Sequence, residues 1–581
     1  MLEAVVTVVS QRDTTGWQQL PETWPECLRK VLAARNIKTE KDISFALSEL
    51  PSPALLMGMD RAVELLYQAL QQQWHIMIVA DFDADGATSC ALAIRGLNAM
   101  GANRVDYIVP NRFVHGYGLT PELLADIDLD NQPDLLITVD NGIASIAGVK
   151  QAHQRGIKVL VTDHHLPGDS LPEAEAIVNP NQHGDSFPSK NLAGVGVFFY
   201  VLMGLRQHLR QQDWFTQKAL DEPKLVDLLD LVALGTVADV VCLDQLNRTF
   251  VNLGMARIRR NLGCGGITAL ARVAGKDLSQ LSTSDLGFAI GPRLNAAGRM
   301  EDMGLGINTL LTDDPAQALM AAQELDNINL ERRAVEKEMQ DHAVQMLDNM
   351  NFAHDDLPLG YCLFDQSWHQ GVIGLLASRI KERHHRPVIA FAPGEQGEIK
   401  GSARSIAGVH IRDLLALIAS QNPTLLTRFG GHSMAAGLTI KQDDLAEFER
   451  CFLAVLKSHV GPELLQQTIT SDGELKSDEI NVNIAALLAT AAPWGQGFPE
   501  PQFHGRFIIN DIRAVGQQGD HLRLGVRLDQ YTNVTAMAFG QQQPDWLKQG
   551  GEALLVYRLS VNEFRDQRCV QLIVSHLLAV N

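Results

Sequence analysis

The chain has 581 residues, 46% hydrophobic and 20% charged, with a formal net charge of −19. That length exceeds one core and fits three or four domains at roughly 150 residues each; the acidic balance excludes a protein that coats nucleic acid by bulk charge, though it leaves room for a local basic groove. Seven scattered cysteines, none in a C-x-x-C pair, argue against a disulfide framework or a thiolate zinc site, and the lack of an apolar run of about 18 residues or a basic leader points to a cytoplasmic protein without a membrane span.

The first 50 residues read as a helical lead-in, with helix-period apolar residues in "WPECLRKVLAARNI"; "DRAVELLYQALQQQ" continues the pattern beyond Pro51 and Pro53. A repeated unit follows: a short apolar run, an Asp, a polar or glycine turn, then a helical segment. It occurs as "IMIVAD" before "ALAIRGLNAMG", as "LLITVD" before "IASIAGVKQAHQRG", and as "KVLVTD" before His164 and His165, with "VDYIVP" as a further strand. Nearly continuous β-branched strands alternating with helices predict a parallel sheet covered on both faces. An acidic stretch, 313–352, free of Gly and of any Pro after Pro315, predicts a long connecting helix. A second α/β region (353–468) contains "LGYCLFD", "GVIGLLASRIKERHH", "RPVIAFA", "GSARS" and "FGGHSMAAGL". From 469 onward five short alternating strands predict a small antiparallel barrel of OB type.

Charge is segregated. Residues 255–299 hold seven Arg/Lys against two Asp, and 379–404 hold six against three Glu, whereas 313–350 hold nine acids and three bases. Each patch also fits a solvated helix face.

All three main strands deliver an Asp at their carboxyl ends, the edge where open α/β sheets bind ligands. One such Asp is commonly a helix N-cap. Three of them, with Asp83 and Asp85 following Asp81, describe a site instead. Asp239, in the apolar stretch "LVALGTVADVV", needs a partner for its charge. The candidate ligands Asp81, Asp83, Asp85, Asp140, His164 and Asp239 are mostly carboxylate with one imidazole, a donor set for Mn²⁺ or Mg²⁺ rather than zinc. So many carboxylates predict two ions, a geometry suited to in-line displacement at phosphorus. In Asp163-His164-His165, one imidazole can ligate while Asp163 orients a ring nitrogen, and the other can face substrate as a cation or proton donor.

"DFDADG", "VDNG", "DHH" and "GTVADV", in that order, resemble the four motifs of the DHH phosphoesterase superfamily, and "GGHSMAAG" resembles its associated DHHA1 domain. With "PNRFVHGYGL", "GPRLNAAGRM", "SWHQGVIGLLASRI" and "KGSARS", the resemblance is to its single-strand-specific exonucleases and covers about 75–575. It implies a DHH domain over 51–312, a connecting helix, a DHHA1 domain over 353–468 and a nucleic-acid-binding barrel over 469–581. It further implies a 5′→3′ exonuclease of DNA repair and recombination that threads single-stranded DNA between two α/β lobes and releases mononucleotides. Implied ligands are Asp83, Asp85, Asp140, His164 and Asp239, with Asp140 bridging two divalent ions; His165 joins them as a catalytic residue. Where many relatives carry a ligating His this chain has Val79, so either Asp81 or water completes the first ion's shell or one ion is bound more weakly. Arg112, Arg299, Ser402, Arg404 and His432 are implied near the 5′ phosphate. Implied partners are single-stranded DNA, a single-strand-binding protein and a recombination helicase, and a monomer is expected.

Read from the residues themselves, Arg112 and Arg299 sit in turn-like, glycine-containing surroundings, as do Ser402 and Arg404 in "GSARS", and such settings suit phosphate capture. Tyr117 fits a base-stacking aromatic or a core residue equally. Cys90, Trp368 and the "GVIGLLASRI" helix read as core. Three rivals are weaker. A HAD-type phosphatase also fits D-x-D-G-x-T but gives no task to the Asp-His-His triplet. A relative acting on small phosphorylated molecules would not need the barrel. A non-catalytic DNA-binding relative should have lost ligands.

Overall fold

The computed structural model describes residues 7–112, 114–349, 358–516, 519–529, 532–564 and 567–580. The chain forms two compact units, one of Gln11–Ile328 with Ser471–Asn581, the other of Met1–Ser10 with Asn329–Thr470. The lead-in is less helical than its sequence predicts. It opens with strand β1 (Thr7–Gln11), which pairs far along the chain with Gln467–Ser471, and its α-helix is confined to Glu26–Ala33.

The larger unit is built on five parallel strands, β2 (His75–Ala80), β3 (Arg104–Ile108), β4 (Leu135–Val139), β5 (Lys158–Thr162) and β6 (Ala176–Val178), in the order β3-β2-β4-β5-β6. The apolar runs of β2 and β4 are buried along almost their whole length because helices cover both faces. The helices Ala84–Ala99 and Gly194–Gln211 contribute Cys90, Leu92, Phe198 and Tyr200, all fully buried. The order reverses between β2 and β4. Their carboxyl ends therefore frame a topological switch point, the crevice where such sheets hold ligands.

The other unit carries a mixed sheet. Strands β7 (Tyr361–Phe364) and β8 (Val388–Pro393) are parallel, while β9 (Glu398–Arg404), β10 (Arg428–Gly431) and β11 (Ala435–Lys441) continue it antiparallel in the order β10-β11-β9-β8-β7. Trp368 is 3% exposed, and the helix Ile373–His384 buries Ile373, Leu376, Ala377 and Ile380 on one face while Arg379 and Glu382 face outward. The unit closes with β12 (Gln467–Ser471), the partner of β1. The connecting helix spans Pro315–Asn349; its expected end at 352 and the expected domain start at 353 fall outside the described residues.

Beyond Ser471 the chain returns to the larger unit. Strands β13 (Phe503–Val515), β14 (His521–Arg527), β15 (Asn533–Ala538), β16 (Glu552–Phe564) and β17 (Gln567–Ala579) form a closed barrel. Two details depart from the sequence reading. Three strands are 13 residues long rather than short, and β15 pairs with β17 in parallel, so the barrel is not wholly antiparallel. A helix, Val482–Thr490, precedes the barrel. Buried Arg35 ties this segment to the lead-in through a bidentate pair with Asp472, at 2.8 and 3.0 Å.

Candidate metal centre

Each acidic side chain is placed by backbone geometry at the switch point. Asp81 follows β2 directly. Asp83 is the N-cap of the helix Ala84–Ala99, its Oδ1 accepting the backbone N–H of Asp85 and Gly86 at 3.0 Å each. That same turn points Asp85 inward, where it is 1% exposed and accepts the N–H groups of Gly194 and Val195 at 2.6 and 3.0 Å. Asp140 follows β4 in the left-handed region, with φ of 62°. Asn141 holds the corner by donating to the carbonyls of Val79 and Val139, and the Tyr117 hydroxyl donates to the Asp140 carbonyl at 3.2 Å.

His164, His165 and Asp239 complete the centre. His164 Nε2 lies 3.1 Å from Asp140 Oδ1, 3.4 Å from Asp239 Oδ2 and 4.0 Å from Asp85 Oδ2. Three overlapping groups have ligand atoms within 4.8 Å of one another: Asp81, Asp83 and Asp140; Asp85, His164 and Asp239; and Asp140, His164 and His165. Asp140 and His164 each belong to two groups, and Asp81 falls with Asp83 and Asp140 where Val79, buried in β2, has no donor. Asp239 lies at the C-cap of the helix Leu229–Ala238, its side chain 20% exposed, and His164 is the partner its charge calls for. Asp163 lies in none of these groups. It accepts N–H bonds from Ile143, His164 and His165 and binds His165 Nδ1 at 2.7 Å.

So many buried carboxylates titrate abnormally. Burial, then the neighbouring Asp83, pushes Asp85 up to about 7. Burial and nearby carboxylates also raise Asp81, Asp140 and Asp239 well above the usual range. Asp163 is the exception: burial opposes its charge, but the bond and charge of His165 hold it below the usual value. Burial likewise opposes charge on His165, yet Asp163 and the surrounding acids push it up to about 9.

The residues fit divalent ions. Asp140 Oδ1 is buried and accepts no hydrogen bond of good geometry among the described residues. Oxygen donors dominate, imidazole is secondary and thiolate is absent from these groups, a donor set for hard cations.

The substrate candidates divide between the units. Arg112 lies over the Phe82 ring at 4.1 Å, beside Asp81 and Asp83, and its buried Nε makes no hydrogen bond among the described residues. Arg299 is in the last turn of the helix Gly291–Met300, not in a turn as its glycines suggest. Tyr117, 46% exposed, packs edge-on against both Phe82 and His165 and is not a core residue. In the other unit Ser402 and Arg404 lie on β9, not in a turn, with Arg404 Nη1 donating to Ser402 Oγ at 2.9 Å. His432 is exposed in the β10–β11 hairpin.

Sequence reasoning missed the residues that let backbone approach the centre. A Cβ on Gly194 would lie 2.5 Å from Asp140 Cβ, and one on Gly298 would lie 1.8 Å from the Phe82 carbonyl oxygen. Asn295 accepts the Ala84 N–H at 2.8 Å, pinning the Gly291–Met300 helix to the Asp81–Asp83 loop. The glycines in "GVGVF" and "NAAGRM" were the available signal.

A parallel sheet with D-x-D, D-N-G and D-H-H at its switch point defines the DHH phosphoesterase class. The DHH family N-terminal domain matches residues 75–236, the DHHA1 domain 350–458 and the RecJ OB domain 471–576. The single-stranded-DNA-specific exonuclease RecJ of Dickeya dadantii is 48% identical over 575 residues, 99% of each chain. The crystal structure of RecJ from Thermus thermophilus with Mn²⁺ superposes with TM-score 0.81 at 29% identity, covering 100% of this chain and 80% of that one; its Mg²⁺ complex gives 0.75 at 27%, covering 99% and 79%. The chain belongs to the RecJ family.

Proposed function

We propose that the chain is a divalent-metal-dependent exonuclease that degrades single-stranded DNA from its 5′ end to mononucleotides. The observation that carries this reading is the pair of ligand groups, Asp81/Asp83/Asp140 and Asp85/His164/Asp239, whose members meet around Asp140 and His164. Mn²⁺ or Mg²⁺, the ions in the related crystal structures, fit these donors. Bound there, they supply an activated water at neutral pH and neutralise the non-bridging phosphate oxygens.

The chain's own residues account for the rest. Asp163 fixes the ring of His165 through Nδ1, leaving Nε2 to donate to a phosphate oxygen or to the departing 3′ oxygen. In hydrolysis the bond from phosphorus to that 3′ oxygen breaks and a bond to water oxygen forms. The released nucleotide keeps its 5′ phosphate, and the shortened strand gains a new one. Arg112 and Arg299 hold the terminal phosphate, whose extra charge over a diester favours guanidinium donors. Ser402 and Arg404 form a second donor group for phosphate in the other unit, and His432 contacts the strand from its hairpin. The domain division at 51–312, 313–352, 353–468 and 469–581 is part of this reading.

Digestion of 5′- and 3′-labelled single strands and duplex, with added Mn²⁺ or Mg²⁺, tests it. Mononucleotides should appear first from the 5′ label, only from single strands and only with metal. Release from the 3′ label, or equal attack on duplex, would overturn the polarity and substrate assignment.

A further inference from the structure

The segment between β3 and the short helix Pro121–Ala125 carries two of the substrate candidates, Arg112 and Tyr117. Its own packing does little to hold it. None of its described residues from 111 to 117 is buried, and Val114 is 70% exposed. Gly116 and Gly118, at φ of 78° and 73°, flank Tyr117, and glycine widens the range of conformations open to such a segment. Yet the Arg112 guanidinium has one defined place, over the Phe82 ring and beside Asp81 and Asp83. A segment left free would have to be ordered at every binding event, at a cost in affinity.

His115 supplies the missing restraint. Its backbone N–H donates to the Asn111 carbonyl at 2.8 Å, and its Nδ1 accepts the Asn111 N–H at 3.0 Å. These bonds close the turn 111–115 around Arg112. A backbone N–H can only donate, so the ring proton lies on Nε2. Nε2 in turn sits 2.9 Å from Asp126 Oδ2. Both ring nitrogens are thereby committed, and the His115 side chain is only 12% exposed. It is a brace for the segment and not a phosphate ligand itself.

The far end of the brace is fixed. Asp126 is the C-cap of the helix Pro121–Ala125. On either side of it Leu123, Leu124 and Ile127 are buried in one core with Met77 and Val79 of β2. Arg155, at the end of the helix Ile146–Gln154, donates to the carbonyls of Leu124 and Ile127. The restraint therefore runs from the sheet's core through Asp126 and His115 to the backbone that carries Arg112.

We propose that His115, strapped to Asp126, is a positioning residue that keeps the segment carrying Arg112 and Tyr117 in its phosphate-binding conformation. This deepens the exonuclease reading and rests on it.

The test uses the full-length protein as His115→Ala, Asp126→Ala, the double variant, and Asp126→Asn, which keeps an acceptor oxygen for Nε2. Amide hydrogen exchange should speed up at Asn111 in the first three, with exchange in β2 and β4 unchanged. With Mn²⁺ present, KM for a 5′-phosphorylated single strand should rise about tenfold in those three, as when about a tenth of the molecules hold the competent conformation, while kcat changes little. The double variant should be no worse than either single one, as expected when both remove one interaction, and Asp126→Asn should stay close to wild type. On a 5′-hydroxyl strand the rise in KM should be much smaller, because Arg112 has no terminal phosphate to hold. Unchanged exchange at Asn111 in His115→Ala would overturn the proposal. So would faster exchange with KM unaltered, or a fall in kcat alone, which would place the effect at the metal centre. A failed exonuclease reading shows separately, in wild-type protein that digests neither strand; exchange at Asn111 would then decide by itself whether His115 holds the segment.

Discussion

The backbone N–H of Gly194 donates to Asp85 Oδ2 at 2.6 Å, and on its other side Gly194 abuts Asp140 so closely that a Cβ would lie 2.5 to 2.8 Å from it. One glycine therefore sets the separation of two candidate ligands that are 54 to 109 residues from each other or from it in sequence. It also begins an 18-residue helix, whose positive N-terminal end favours the Asp85 carboxylate.

Gly194→Ala should push Asp140 out of register while leaving the sheet intact. Metal affinity should drop at least tenfold by calorimetry, with cleavage falling in parallel. Asp140→Ala should reduce cleavage by about 10²-fold or more, because charge neutralisation and water activation are lost together. Full nuclease activity in either purified variant would remove Asp140 from the centre.

The metal-free protein should lose stability as pH rises. Asp85 is raised from 3.8 to about 7, so between those values the folded state holds more protons than the unfolded state, and stability falls through that window. His165, raised from 6.5 to about 9, acts in the same direction at higher pH: its contribution is complete below 6.5 and lost through about 9. Melting temperature in chelator should therefore fall from pH 5 to pH 8, and added Mn²⁺ should restore more of it at pH 8 than at pH 5. A chelated melting temperature that rises over that range would contradict the buried, mutually repelling carboxylates.

The Arg35–Asp472 pair gives a prediction about assembly of the larger unit. Both side chains are essentially buried, and Asp472 also accepts the Gln502 N–H at 2.9 Å. Asp472→Ala would leave the Arg35 guanidinium buried without a counter-charge, at a cost of about 3–5 kcal/mol. Urea unfolding should show that loss, and replacing both residues with apolar ones should recover part of it. A change below about 1 kcal/mol would mean that water or another group satisfies Arg35.

The sequence made the parallel sheet and its acidic edge legible, because period, β-branching and strand-terminal Asp are local signals. Glycine was the ambiguous one. In "GPRLNAAGRM" and "GSARS" it reads as a turn, yet Arg299 is helical and Arg404 lies on a strand. There Gly298 and Gly401 are small because Phe82 and the Phe391 ring approach them, not because the chain reverses. Close approach and tight turn leave the same letter in a sequence, and only the distant partner tells them apart. The β1–β12 and β15–β17 pairings were hidden for the same reason: partners hundreds or tens of residues away impose no local period. Of the candidate centre, the cluster of acids and His164 was readable in the sequence, and the residues that seat it, Gly194, Asn141 and Asn295, were not.

The barrel supplies the last prediction. Along β14 the residues Leu522, Leu524 and Val526 point inward, leaving Arg523 and Arg527 exposed on the outer face. On β13 Arg506 and Arg513 are exposed too, and Arg513 lies directly opposite Arg523. Like charges in directly opposed positions destabilise a sheet unless an anion lies between them. Asp511 compensates Arg513 at 2.8 Å, while Arg506, Arg523 and Arg527 have no ion pair among the described residues. A single strand tracking this face would neutralise them. Replacing Arg506, Arg523 and Arg527 together with Ala should weaken long single strands more than short ones and leave folding stability unchanged or slightly improved. Each lost phosphate contact lowers the slope of log affinity against log salt by about 0.7, so the triple variant should lose about 2 from that slope. Fluorescence anisotropy across a salt series measures it directly. An unchanged slope would show that the strand does not touch these arginines and that the barrel grips DNA by another face or not at all.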